Sequence, residues 1–408
     1  MSVSSVIAAA LVAVPLSAPI AAPAPLAGSA ETWQRADTVA EWYDTTAATI
    51  AAAGASAQVT NSRTWAISWL SAARALRHRP SPPAFRDAAL ASAVHRSLVT
   101  LVPSRKQELD AALAASLARI PEGVDKRRGV AAGTREADAL LAERDKDGLD
   151  PQSVSPPYTP VSSDPGVWRP TPPSFSPGVQ SGTRDAKPFL PATRSQYRPA
   201  PPPALTSERY VKDLEEVRVY GAAGSTARTP AQTETAQFWL GSSLTLYDGV
   251  LRAAVVQSQD RSQSWRTGLV ALFHVALVDT QIATSDAKYA YVLWRPVTAL
   301  QVTDPSWTPL HNTPAHPDYP SGHNSYAGAA QQVLTALIGP RSRRPYTIGS
   351  PTLPGVTRTY TDWKRPADEN IDARVWSGIH TRIADEVGVR LGRDVAAHTL
   401  RNAVKLFS

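Results

Sequence analysis

The chain has 408 residues, 43% hydrophobic and 19% charged, enough apolar material to bury a large core and too little charge for a disordered polyelectrolyte. Its net charge of +7 is carried mostly by arginine, but the basic residues are scattered, with no RNP motif, zinc finger or arginine-rich arm. A nucleic-acid partner is therefore not expected, whereas an anionic substrate is compatible. The absence of cysteine excludes disulfides, thiolate metal sites and cysteine nucleophiles.

In chain order, residues 6–22 are apolar and alanine-rich, and small residues follow at Ala22-Pro23-Ala24 and Gly28-Ser29-Ala30. This has the pattern of a secretory signal, although no lysine or arginine precedes Arg35. Residues 1–30 are expected to be a signal peptide or a disordered tail; secretion is the expectation, and a cytoplasmic location stays open. No later stretch reaches the roughly 18–20 uninterrupted apolar residues of a membrane span, so none is expected. Residues 31–150 read as an N-terminal helical part. Ser104 and Gln107 suggest a capping box before a helix with Leu109, Leu113 and Leu117 on one stripe. A further helix is expected over about 129–143.

Residues 151–205 read as a proline-rich strap. Fifteen of the 36 prolines fall between 151 and 203, together with Trp168, Phe175, Phe189 and Tyr197. Proline stops helix propagation, and the aromatic residues imply an ordered segment packed across the domain rather than a solvated linker. Residues 206–408 read as a C-terminal helical part. Thr229-Pro230-Ala231-Gln232 is a strong helix start. A long apolar helix is expected over 262–284, then a successor carrying Lys288 and ending at Pro296. Further helices are expected from about Ser321 to Ile338, over 366–377 and over 379–404. Ten to twelve helices with few strands make the fold class all-α.

Three polar clusters lie in the last third. Lys288 and Arg295 are seven residues apart, nearly two helical turns, so on one helix they share a face. Two such cations among Tyr289, Tyr291, Leu293 and Trp294 suit a bound anion, a solvated basic stripe being the alternative. Pro320-Ser321-Gly322-His323 precedes a clean helix. Ser321 is a candidate N-cap, and the unpaired N–H groups at a helix start, with Gly322 allowing close approach, make a ready oxyanion site. Arg374 and His380 are six apart, about 240° around an ideal helix, so either the helix breaks near Ser377-Gly378 or the arginine reaches round. Arginine can hold an oxyanion with two parallel hydrogen bonds. His380 can act as a nucleophile toward phosphorus or donate nitrogen to a metal centre.

Taken in this order, Lys-x6-Arg-Pro, Pro-Ser-Gly-His and Arg-x5-His resemble the signature of vanadium-dependent haloperoxidases, shared with the type 2 phosphatidic-acid phosphatase superfamily. Stretches such as Gly166-Val167-Trp168-Arg169-Pro170, Ala204-Leu205-Thr206-Ser207 and Asp286-Ala287-Lys288-Tyr289 resemble the bacterial haloperoxidase-like branch. The resemblance implies a large helical bundle with vanadate as cofactor, bound axially by His380 as the vanadium ligand. Lys288, Arg295 and Arg374 would neutralise its equatorial oxygens, Ser321 and the Gly322 amide would hydrogen-bond to them, and His323 would be the acid–base residue. The implied partners are hydrogen peroxide, a halide and a small organic substrate, and a homodimer is left open. The alternatives are a phosphomonoesterase with a phosphohistidine at His380, or a non-catalytic relative that keeps the fold. Asp279 and Asp286 are candidates for an inner acid that orients the cage residues. The family usually has serine before the arginine of the third motif; here Ala373 stands there. Seven residues before the motif histidine, chloride oxidisers tend to have phenylalanine and some bromide oxidisers histidine; His316 in this chain leans toward bromide or iodide. His311 reads as a loop histidine.

Overall fold

The computed structural model describes residues 37–77 and 81–407, so the apolar segment 6–22 and the region 1–30 lie outside the described residues. Among the described residues there are thirteen α-helices and one two-stranded antiparallel sheet. The fold is all-α.

The first five helices are α1 (Thr38–Ala53), α2 (Gln58–Ala75), α3 (Pro83–Leu101), α4 (Lys106–Ala118) and α5 (Val124–Glu143). Asp37 caps α1 with its carboxylate on the Val39 and Ala40 amides, which satisfies donors a helix start leaves unpaired. Ser104 does not form the expected capping box: it lies in the 3₁₀ turn Pro103–Arg105, and α4 starts after Arg105 without a side-chain cap. Proline at the first position of that turn favours a tight bend over an extended N-cap backbone. Trp42, Tyr43, Trp65 and Trp69 from α1 and α2 form an aromatic block in the main core.

In the C-terminal half come α6 (Glu208–Tyr220), α7 (Pro230–Phe238), α8 (Ser243–Gln257), α9 (Gln263–Tyr291), α10 (Pro296–Leu300) and α11 (Gly322–Ile338). They are followed by strands β1 (Arg341–Gly349) and β2 (Thr357–Asp362), then α12 (Arg365–Trp376) and α13 (Arg382–Arg401). The Thr229 capping box with Gln232 is present in full at the start of α7. Helix α9 is the central rod, packed on α2, α11 and α13. By length and mean hydropathy it could cross a membrane, although charged residues interrupt its apolar run; 94% of its most apolar window is buried inside the fold.

Helix α9 also corrects the expected break after residue 284. It runs on to Tyr291 and carries Lys288 in its last turn; Val292 closes it in the left-handed conformation at φ 45°. Arg295 therefore shares no helix face with Lys288: it is the N-cap residue of the short α10, whose first residue is Pro296. The pair still converges, through a turn rather than a helix.

The strap is ordered and wraps the end of α9. Trp168 N–H donates to Val292 O at 2.7 Å, and Trp294 N–H donates to Gly166 O at 2.8 Å. Tyr291 and Tyr319 hydroxyls donate to Pro199 O and Ala200 O at 2.5 and 2.7 Å. Trp168 is buried, Phe189 lies under the Arg144 guanidinium at 4.0 Å, and Tyr197 packs on His398. Phe175 departs from the expectation, being 62% exposed.

Close backbone approach brings α13 onto α11. A Cβ at Gly328 would meet Val389 O at 2.1 Å, and one at Gly392 would meet Ser325 O at 2.0 Å, so only glycine permits this spacing. The start of α13 is pinned from α6: Asp213 accepts the Ile383 amide at 2.8 Å, and Arg382 pairs with Glu216 at 2.7 Å.

Candidate active site

All three polar clusters meet. Ser321 caps α11 from the end of a loop that holds a cis Tyr319-Pro320 bond, and its own N–H donates to Ala384 O at 2.9 Å, tying α11 to α13. Arg374 lies in the last turn of α12. The chain then breaks at Gly378, φ +78°, where an added Cβ would lie 2.3 Å from Gly221 O. That break resolves the spacing of Arg374 and His380: they lie on either side of a glycine turn, and α13 starts after His380.

The three cations are buried. Lys288 Nζ donates to the Pro317 and Asp318 carbonyls at 2.6 and 3.1 Å. Arg295 donates to His316 O and Ile379 O, both at 2.6 Å. One of its terminal nitrogens lies against the His380 ring, 3.2 Å from Nε2 and 3.4 Å from Nδ1. Arg374 donates to Trp239 O at 3.2 Å, and its Nε–H is buried with no partner. Among the described residues no carboxylate comes within 4.0 Å of Lys288 Nζ or the Arg374 guanidinium, and Arg295 reaches only Asp318, at 4.0 Å. Burial, and then Arg295, pull Lys288 well below its ordinary value. Burial lowers Arg295 and Arg374 to about 10 each, and Arg295 adds to the lowering at Arg374. Cations crowded in this way are relieved by an anion between them.

The histidines divide by partner. His323 Nε2 is 3.0 Å from Gly241 O, a carbonyl that can only accept, so Nε2 carries the hydrogen and Nδ1 keeps a lone pair. Burial and then Arg374 hold His323 well below its ordinary value, so it is neutral. His316 Nδ1 lies 3.0 Å from Arg295 and so accepts from it, at the rim of the cluster. His311 bridges Ser377 and Gln237 at 3.0 and 2.9 Å, and burial, with Arg374 second, lowers it to about 4. His380 is buried, with Nδ1 2.5 Å from Asp318 Oδ1.

Asp279 and Asp286 do not orient these residues. Asp279 accepts the Phe189 and Leu190 amides at 2.7 and 3.1 Å. Asp286 pairs with Arg198 at 2.7 Å. Both anchor the strap, because they face the strap side of α9 while Lys288 faces the cluster. The acids beside the cluster are Asp318 and Asp385, which the sequence reading missed. Asp385 accepts from Asn324 at 2.7 Å, and its other oxygen is buried without a partner. For Asp318 a signal was available: a carboxylate between Pro317 and Pro320, inside the loop that leads to Ser321. For Asp385 there was none, since helix acids are commonly surface residues.

The donor set fits a tetra-oxo anion. Arg374 has an orphaned buried donor. A Cβ at Gly322 would meet only Lys288 Cε, at 4.0 Å, so there is room between the start of α11 and the lysine. Helix N-termini favour negative charge at such a place.

The family described as the VCPO second helical-bundle domain matches residues 298–408. The solved structure of the first bacterial vanadium-dependent iodoperoxidase superposes with a TM-score of 0.76 at 25% identity, covering 89% of this chain and 95% of that one. The chain has the fold of the vanadium-dependent haloperoxidases. Vanadium chloroperoxidase of Curvularia inaequalis is 29% identical over 35% of this chain, and the match spans 30% of that relative's length. A holo bacterial vanadium-dependent chloroperoxidase shares the haloperoxidase fold, with a TM-score of 0.67 at 16% identity over 92% of this chain and 95% of its own.

Proposed function

We propose that this chain is a vanadate-dependent enzyme that oxidises halide with hydrogen peroxide, taking bromide or iodide ahead of chloride and passing the halogen to a small organic substrate. The observation that carries the reading is the buried cluster of Lys288, Arg295 and Arg374 around His380 and the start of α11, with an Arg374 donor left free. Vanadate held there supplies Lewis-acid activation of peroxide.

In this reading Lys288, Arg295 and Arg374 balance the charge on the anion's oxygens. The Ser321 hydroxyl and the Gly322 amide would donate to them, and His380 Nε2 would be the nitrogen that holds the group. These groups are fixed before substrate arrives, so little reorganisation is required as charge develops. His323 moves the proton: its Nε2–H is committed to Gly241 O, so Nδ1 is the basic atom that accepts a proton from incoming peroxide and returns it to the leaving oxygen. His316, held on Arg295, supports the bromide or iodide preference, and so does the iodoperoxidase named above. The apolar residues 6–22 support export as part of the same reading.

The deciding experiment is bromination of monochlorodimedone by purified protein with peroxide and bromide, with and without orthovanadate. Vanadate-dependent turnover is expected. Robust p-nitrophenyl phosphate cleavage that orthovanadate inhibits, without bromination, would replace this reading with a phosphomonoesterase acting through His380.

A further inference from the structure

We propose that Asp318 is a positioning residue that sets the tautomer and ring orientation of His380, so that Nε2 is the nitrogen offered to the bound oxyanion. The inference rests on the reading of the site given above, and adds to it a residue that takes no part in the three motifs.

Among the described residues, His380 is the one histidine of the cluster with a carboxylate partner. Its Nδ1 lies 2.5 Å from Asp318 Oδ1. The other carboxylate oxygen, Oδ2, accepts the Thr381 hydroxyl at 2.7 Å and the Thr381 amide at 3.4 Å. Oδ2 is engaged as an acceptor, and Oδ1 lies 4.0 Å from the Arg295 guanidinium, which favours the ionised carboxylate; an ionised carboxylate only accepts, which places the shared hydrogen on Nδ1 and leaves the lone pair on Nε2. Asp318 is itself held at both ends of its backbone, its N–H donating to Leu293 O at 2.9 Å and its carbonyl accepting from Lys288 at 3.1 Å. Arg295 approaches the ring almost symmetrically, at 3.2 and 3.4 Å from its two nitrogens, so it does not select a tautomer. The selection falls to Asp318.

The arrangement is also economical in chain terms. Thr381 follows His380 directly, so one residue positions the carboxylate that positions its neighbour. A ligating imidazole that donates its second N–H to a carboxylate is more basic at the ligating nitrogen and cannot rotate, and loss of such a partner typically weakens binding by about 10–100-fold.

The test uses the full chain with orthovanadate as the probe, titrated calorimetrically into wild type, Asp318→Asn, Asp318→Ala and Thr381→Val. Long-range ¹H–¹⁵N spectra of the His380 ring read the tautomer in the same proteins. Expected are an Nδ1–H ring in wild type, a roughly 10–100-fold weaker dissociation constant for Asp318→Ala, and loss of the pure Nδ1–H signature in that variant. A general packing role would not move the tautomer. Asp318→Asn keeps the acceptor and the shape but not the charge; it should keep the tautomer and weaken binding less. It also decides the matter should the alanine variant fail to fold, since unchanged affinity there, with unchanged affinity in Thr381→Val, counts against the role. Wild-type binding with an unaltered Asp318→Ala affinity or tautomer overturns the inference alone. A wild-type chain that binds no orthovanadate overturns the haloperoxidase reading and the inference together.

Discussion

Among the described residues two carboxylate–imidazole pairs are enclosed, Asp318–His380 beside the cation cluster and Asp248–His274 in the aromatic core. In both, burial holds the imidazole well below its ordinary value. At His380 the cations Arg295, Lys288 and Arg374 add to that effect, whereas at His274 burial is the cause given by its surroundings alone. The first pair is in direct contact at 2.5 Å; the second is separated by 3.7 Å, with both His274 nitrogens unpartnered and the ring stacked on Trp65 at 4.5 Å. A buried histidine next to an acid is therefore not in itself a site. What distinguishes the first pair is the three buried cations around it and the Arg374 donor left free.

The largest effect is expected on the cluster side: Arg374→Ala should cut vanadate-dependent bromination about 100–1000-fold, the usual cost of one preorganised donor, while circular dichroism stays native. On the core side, His274→Leu should leave kcat within about twofold, since His274 touches none of the groups that hold or move charge in the reaction. A large activity loss in His274→Leu would erase the distinction.

The strap gives an intermediate effect. Arg198→Ala removes the guanidinium 2.7 Å from Asp286, which is 2% exposed. Leaving that carboxylate short of its partner should cost about 1–3 kcal/mol in urea unfolding.

A smaller effect concerns pH. His274 has its folded-state value depressed below 6.5. As pH falls below 6.5, the unfolded chain takes up a proton that the folded chain refuses, so this group's contribution to stability falls with pH. Asp248 is raised by burial above 3.8 and acts in the opposite sense, losing its contribution as pH rises, but it is common to both proteins. His274→Leu should therefore melt within a few degrees of wild type at pH 7, with stability changed by at most about 1 kcal/mol, and should lose less on going to pH 5. An equal loss in both proteins would show that His274 protonates freely and is not the dry, unpartnered ring described above. The smallest effect is expected at Phe175, 62% exposed, where Phe175→Ser should change stability by no more than about 0.5 kcal/mol.

Helix starts were legible in the sequence where a side chain caps its own helix. Thr229 with Gln232 forms the expected box; Ser321 stands at the N-cap position of α11 as expected, without a side-chain capping bond. Where a competing local signal existed, legibility failed: Pro103 drew Ser104 into a 3₁₀ turn. The residues of the buried polar cluster were legible because their types and order are unusual together. Their acid partners were harder to read: Asp318 carried a signal in its place between Pro317 and Pro320, but Asp279, Asp286 and Asp385 look alike as helix acids, and only packing assigns the first two to the strap and the third to the cluster.

The sequence alone therefore determined the helical class, the ordered proline-rich strap and the inventory of cations, imidazoles and amides, since these depend on local backbone preference and on side-chain chemistry. Tertiary structure decided that Lys288 ends one helix while Arg295 opens another, that Gly378 turns the chain between Arg374 and His380, and that Asp318 holds His380. The reason is that a buried charge finds its partner through space, across segments whose approach depends on the packing of the whole core.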